Sequence, residues 1–246
     1  MGAEFYGEDF QGADVAPFVG INTFLHLPWV KNHKELLEAK PDVAIIGEPF
    51  DFGTTIRPGA RYGPRAIRAA STIPSPPFER FNIETGADPF GTFRTVDYGD
   101  VVVSPGDVIG SHKSMTLKVK EVLEADGIPV MLGGDHSITY ANVRAFQKKF
   151  KNIGMIHFDT HADCAPQGLT GFKYDHGAHI RRIMEMGCLK GKNYSLVGPR
   201  GYWPGRDLYK WMSDQDFQWF TMLDVEELGI DYIAKEIADR ANDGTD

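Results

Sequence analysis

Cysteine, basic surplus and long apolar runs are all scarce in this chain of 246 residues, and each scarcity excludes something. Two cysteines, Cys164 and Cys188, make neither a disulfide scaffold nor a cysteine-rich zinc site. That number suits a reducing compartment, so a cytoplasmic location is expected. No uninterrupted apolar run approaches the roughly 20 residues of a membrane helix, so no membrane association is expected. The first ten residues, Met1 to Phe10, are acidic and hold no apolar stretch, which argues against a secretory leader. Lys and Arg number 26 against 34 Asp and Glu, and the net charge of −8 repels nucleic acid while suiting small cationic ligands. With 42% apolar and 24% charged residues, the chain can bury a substantial core, which excludes disorder, collagen and coiled coil.

Short apolar runs alternate with longer amphipathic ones. Val43 to Gly47, Ile128 to Leu132, Gly154 to Phe158, Tyr194 to Val197 and Phe217 to Met222 are predicted as strands. Helices are predicted from Gly63, with Pro64 at the first helical position, and over 108–125, 137–150, 178–186, 206–212 and 232–242. The alternation predicts an α/β fold with a largely parallel sheet. Residues 1–40, with Phe18, Phe24, Leu25 and Trp29, are expected to form an N-terminal arm. The stretch 73–94, with Pro74, Pro76, Pro77 and Pro89, is expected as a surface loop. No repeat or linker divides the chain, so residues 1–246 are expected to form one domain.

The strongest chemical signal is the run from His157 to Asp163, where an apolar strand ends and a parallel sheet presents its carboxyl edge to ligands. Asp159, His161 and Asp163 alternate with period two, so an extended backbone points all three the same way. At roughly 3.3 Å per residue the outer pair would lie ~13 Å apart at Cα. That is long for one ion but suits two metals about 3.5–4 Å apart. The plainer alternative is a strand ending in a polar loop. Gly133-Gly134-Asp135-His136-Ser137 tips the balance, because it sets His136 at the end of another strand, just before a helix. Five of the eight histidines (His136, His157, His161, His176 and His179) fall between positions 136 and 179, a clustering expected of a metal site rich in oxygen and imidazole. Cys164 has no basic partner at fixed spacing and is expected to be passive. Arg57, Arg61, Arg65 and Arg68 are expected on a solvated face or a subunit contact, and Tyr202, Trp203, Trp211 and Trp219 in a core or interface.

Gly-Gly-Asp-His-Ser followed by Asp-x-His-x-Asp resembles the motif pair of the ureohydrolases, the arginase and agmatinase superfamily. Pro49 to Gly53, Gly59 to Arg68 and Tyr174-Asp175-His176-Gly177 are similar to further agmatinase-type segments, so the resemblance spans most of residues 40–200. It implies a three-layer αβα fold with a doubly wound sheet and a site of two divalent ions. His136, Asp159, His161 and Asp163 would be the metal ligands, with Asp159 also catalytic and His176 passing a proton near the scissile group. Carboxylate and imidazole donors without thiolate favour manganese, with nickel and cobalt left open. The implied reaction is hydrolysis of a small cationic guanidino compound to urea and an amine. Agmatine, guanidino acids, guanidine and biguanides are all open as substrates. The resemblance also implies a homo-oligomer, trimer or hexamer, with a hetero-oligomer left open.

The family's remaining ligands form an Asp-x-Asp run at the end of a later strand. Asp214-Gln215-Asp216 has that spacing but precedes a predicted strand, whereas Asp224 to Glu227 ends one and fits the family's preceding unit. Four of six ligands are thus expected, with C-terminal strand and helix units missing. Two functions stay open: a binuclear guanidino hydrolase, or a non-catalytic or regulatory subunit of a ureohydrolase-like oligomer.

Overall fold

The computed structural model describes residues 20–72, 81–169, 171–202, 204–241 and 245. These residues fall into two compact units, one running to Phe52 and resuming over Pro58–Asp135, the other made of Gly53–Arg57 and the chain from His136 onward.

The first unit opens with a 3-10 turn, Phe24–His26, and helix α1, His33–Ala39. The Asn32 side chain caps α1 by accepting from the Glu35 N–H at 3.1 Å, and Lys40 closes it in the left-handed region. Strand β1, Val43–Gly47, is followed by α2, Gly63–Ser71, and the one-turn α3, Pro89–Thr92. Strand β2, Thr95–Asp100, leads through an Asp107 cap into α4, Val108–Glu124, and then β3, Ile128–Leu132. Met115, Val119 and Val122 of α4 recur at helical spacing and are fully buried, and α4 packs on β1 and β3. The strands form a parallel sheet in the order β2-β1-β3, with Val43 opposite both Thr95 and Ile128.

Strand β2 was not expected from sequence, because Asp97, Gly99 and Asp100 break its apolar pattern. Arg68 of α2 supplies the reason. Its buried guanidinium forms a fork on the Asp97 carboxylate (Nε–Oδ2 2.8 Å, Nη2–Oδ1 2.9 Å) and also reaches Asp100. This corrects the solvated face expected for Arg68, and Arg61 likewise turns inward to pair with buried Asp51. Gly47 leaves room for the cluster, since a Cβ there would lie 1.8 Å from Asp100 Oδ1 and displace that carboxylate. Of the expected arm, residues 1–19 lie outside the described residues, as do residues 73–80 of the expected loop.

The second unit begins with α5, Ile138–Lys149, β4, Ile153–Phe158, α6, His179–Glu185, and β5, Leu189–Val197. It continues with α7, Arg206–Asp214, β6, Gln218–Phe220, α8, Met222–Leu228, and α9, Ile230–Ala241. Its strands are parallel in the order β4-β5-β6. Cys164, Ile180, Ile183, Tyr194, Leu196 and Phe217 form the main core, and Val197, Phe220, Ile233 and Ile237 form a second, smaller one. Strand β6 is shorter than expected. Thr221 and Asp224 cap each other's backbone N–H groups in a capping box and start α8 at Met222, so Asp224 to Glu227 lie on a helix and end no strand. Asp214 ends α7 and pairs with Lys210, while Asp216 sits in a left-handed turn beside Arg240, before β6. Neither aspartate stands at a strand's carboxyl end. Trp203 lies outside the described residues, and Tyr202 is fully exposed. Among the described residues no helix is long and apolar enough to cross a membrane.

Candidate metal centre

Every candidate site residue lies in the second unit. β4 delivers His157 and then Asp159, whose N–H continues the parallel ladder by donating to the Val197 carbonyl at 3.1 Å. Beyond Asp159 the chain curls instead of extending. The Asp159 carboxylate accepts the His161 N–H at 2.8 Å, and Asp163 adopts the left-handed region at φ 45°. The Asp163 carbonyl then accepts the Ile180 N–H at 3.0 Å, which ties the loop to α6.

The curl replaces the extended spacing expected from alternation. His136 Nδ1 lies 2.9 Å from Asp163 Oδ2 and 3.1 Å from Asp159 Oδ2, so one imidazole touches both carboxylates. His161 goes another way. Its side chain is 58% exposed, with Nδ1 3.6 Å from Asp159 Oδ1. His176 Nε2 is 2.8 Å from Thr55 Oγ1, and the His176 N–H donates to the Gly53 carbonyl at 3.1 Å. His136, Asp159 and Asp163 are therefore brought together, while His161 and His176 flank them.

Two histidines outside the expected ligand set join the centre. His136, His157, Asp163 and His179 each offer a donor atom, and these four atoms all lie within 4.8 Å of one another. The ring centroids of His136 and His179 are 4.1 Å apart, and those of His136 and His157 are 4.9 Å apart. The signal for His157 was present in the sequence, because it shares its odd-numbered parity with Asp159 and Asp163. His179 was one of the five clustered histidines, but nothing in its spacing singled it out. Only the start of α6 and the loop before it turn its ring toward the others.

The electrostatics follow from burial. His157 is pushed down to about 4, first by desolvation and then by neighbouring His136. His179 is pushed well below the ordinary histidine value for the same reasons. Both imidazoles are therefore neutral at pH 7, the form that binds metals. Burial drives Asp159 upward, but the His161 N–H and the nearby imidazoles outweigh it and hold the carboxyl below its usual range. Cys164 is buried directly after Asp163, and burial pushes its thiol up to about 12, which removes it as a nucleophile.

The donor set fits a divalent ion on an observation independent of motif. His179 Nε2 is buried without a hydrogen bond and His157 Nε2 has only Asp159 Oδ2, 3.5 Å away, and an unmet buried polar group costs about 1–3 kcal/mol. A cation bound among these donors removes that cost.

A family model described as the arginase family matches residues 41–246. The guanidinobutyrase of Pseudomonas aeruginosa is 31% identical over 233 residues, covering 95% of this chain and 71% of that protein. The human mitochondrial guanidino acid hydrolase is 38% identical over 204 residues, covering 83% of this chain and 55% of that protein. Among solved structures, proclavaminate amidino hydrolase from Streptomyces clavuligerus superposes with a TM-score of 0.80 at 28% identity, over 93% of this chain and 72% of that one. The chain thus spans between 55% and 71% of the length of these two curated relatives.

Proposed function

The chain belongs to the arginase family, and on that premise we propose that it carries the metal-binding half of a guanidino hydrolase site. The reaction is cleavage of a small cationic guanidino compound to urea and an amine. The observation that carries this reading is His136 Nδ1 within 3.1 Å of both the Asp159 and the Asp163 carboxylates, inside the stretch that matches the family.

His136, Asp159, His161 and Asp163 would hold two divalent ions, with manganese favoured by the carboxylates and nickel or cobalt by the imidazoles. The bound ions would supply an activated water near neutral pH to a guanidinium carbon that is otherwise a poor electrophile. The carboxylates of Asp159 and Asp163 also favour approach of a cationic group. His176, held by Thr55 at Nε2, is the group we assign to proton transfer toward the departing amine nitrogen. Its neighbour Asp175 accepts from the same Thr55 hydroxyl at 3.3 Å and limits its motion. We further assign a homo-oligomeric state, which a monomer in light scattering would contradict.

The test is urea release by the purified chain, loaded with manganese, nickel or cobalt, over a panel of agmatine, guanidinobutyrate, guanidinopropionate, guanidine and a biguanide. Urea is expected from at least one member, and Asp159→Asn should lower kcat/KM by more than about 100-fold. Metal uptake with no urea from any member would reduce the chain to a non-catalytic metal-binding scaffold.

A further inference from the structure

An imidazole that passes a proton keeps one nitrogen bare, and the surroundings of His176 select which one. We propose that Thr55 is a positioning residue that fixes the proton of neutral His176 on Nε2, through a chain running from Nε2–H to the Thr55 hydroxyl and on to Asp175. Nδ1 is then the nitrogen that moves a proton. The catalytic consequence rests on the hydrolase reading, whereas the tautomer does not.

Thr55 Oγ1 lies 2.8 Å from His176 Nε2 and 3.3 Å from Asp175 Oδ2. A hydroxyl has one proton to give, and a carboxylate only accepts. If Thr55 donated to Nε2, its lone pairs would face Asp175 Oδ2 with no proton between the two oxygens. Donation to Asp175 satisfies both contacts, because the Thr55 oxygen then accepts from Nε2–H. The lone pair of the neutral ring is therefore on Nδ1.

The three groups are held in place from several sides, all within the second unit. Asp175 Oδ1 accepts the Gly177 N–H at 2.7 Å, so Oδ2 is the oxygen left for Thr55. Gly168 leaves room for Oδ2, since a Cβ there would lie 2.4 Å from it. The His176 N–H donates to the Gly53 carbonyl at 3.1 Å, which seats the loop of Thr55 beside a ring 121 residues away in sequence. A mere staple between two loops would need the same contacts, but it would be indifferent to the direction of the proton. In the reaction a proton passes from solvent to Nδ1 and from Nδ1 to the departing amine nitrogen, while no bond changes at Nε2, Thr55 or Asp175.

The experiment reads the His176 tautomer by imidazole 15N NMR in the purified chain without added metal, at about pH 8.5, where an ordinary histidine is neutral. Nε2–H is expected to outnumber Nδ1–H by about 10 to 1, the factor that one hydrogen bond of ordinary strength supplies. Asp175→Asn should invert that ratio. Its amide oxygen keeps the Gly177 N–H, its NH2 turns to Thr55, and Thr55 must then donate to Nε2. In the metal-loaded chain, Thr55→Val should lower kcat for urea release by about 10-fold or more with KM nearly unchanged, and Thr55→Ser should restore it. Thr55 is exposed, so neither substitution threatens the core. The proposal is overturned if Nδ1–H predominates in the unaltered chain, if Asp175→Asn leaves the ratio unchanged, or if Thr55→Val releases urea at the unaltered rate. Absence of urea from every chain would sink only the hydrolase reading, and the tautomer ratios would still decide where the proton sits. Urea release with Nδ1–H predominant would sink only the assignment of Thr55.

Discussion

Both units set charged groups toward the carboxyl ends of a three-stranded parallel sheet, yet they treat them in opposite ways. In the first, Arg68 grips Asp97 and Asp100, and Arg61 with the Gly59 N–H satisfies Asp51, so these three carboxylates are matched within the unit. In the second, His136, Asp159 and Asp163 converge while His179 Nε2 is buried without a hydrogen bond and His157 Nε2 has only Asp159 Oδ2, 3.5 Å away. Polar groups that hold a fold together come with their partners. Polar groups gathered and left unmet point to a ligand supplied from outside. The contrast holds between these two clusters of named groups, and it can be attacked experimentally.

The largest effect is expected in the first unit. Arg68→Met leaves Asp97 buried and uncompensated, which should cost about 3–5 kcal/mol and lower Tm by roughly 10 °C in a thermal melt. Added metal should not restore the loss beyond the gain it gives the unaltered chain.

Next comes metal itself. A divalent ion at about 100 times its Kd should stabilise the unaltered chain by about 2.7 kcal/mol in the same melt. Asp163→Asn should remove most of that gain while leaving the metal-free chain folded. A full metal-dependent rise in Asp163→Asn would break the comparison.

The third test is pH. His157 titrates near 4 in the folded chain and near 6.5 when unfolded, so the unfolded chain binds more protons between these values. The contribution is complete above pH 6.5 and is lost as pH falls toward 4, at up to about 1.4 kcal/mol per pH unit, and buried His179 acts in the same direction. Asp51, lowered mainly by Arg61, has its contribution in place above its ordinary value of 3.8 and loses it only below that. Hydrogen exchange on the metal-free chain should therefore show second-unit amides loosening between pH 6.5 and 4 before first-unit amides do. Simultaneous loosening of both units would contradict this.

The smallest effect serves as a control within the second unit. Thr221→Ala removes the α8 capping box and should cost about 1 kcal/mol by denaturant titration, equally with and without metal. A metal-dependent cost would mean that the boundary between structural and ligand-facing polar groups is drawn in the wrong place.

Most of the elements were legible in the sequence where burial follows periodicity. β1 reads as a continuous apolar run because a strand covered on both faces needs no polar alternation, and β3 reads as one although it leaves Ile128 and Val130 exposed. α4 read correctly from Met115, Val119 and Val122. β2 was hidden because its polar residues are neutralised by Arg68, which lies 29 residues from Asp97 in sequence. α8 was hidden because a capping box in a short polar stretch overrides the strand that precedes it. Of the centre, His136, Asp159 and Asp163 were expected from motif and spacing and lie side by side, and His157 shares strand-end parity with Asp159 and Asp163. His161 was expected to stand with them, but the left-handed turn at Asp163 and the Asp159 Oδ1 contact with the His161 N–H bend the loop so that it diverges.

By itself the sequence determined the alternation of strands and helices, the two glycine- and aspartate-bearing strand ends, and the residue types that can hold a divalent ion. Those follow from local rules of period, turn and donor chemistry that act over a few residues. The tertiary structure alone decided which imidazoles share the pocket. His179 comes to the centre on a separate helix, and its free nitrogen is chosen by a hydrogen bond from its own Nδ1 to the His176 carbonyl. The hydrogen bond itself spans only three residues, but the arrival of that ring at the centre depends on long-range packing of α6 against β5, which is not written in any short stretch of the chain.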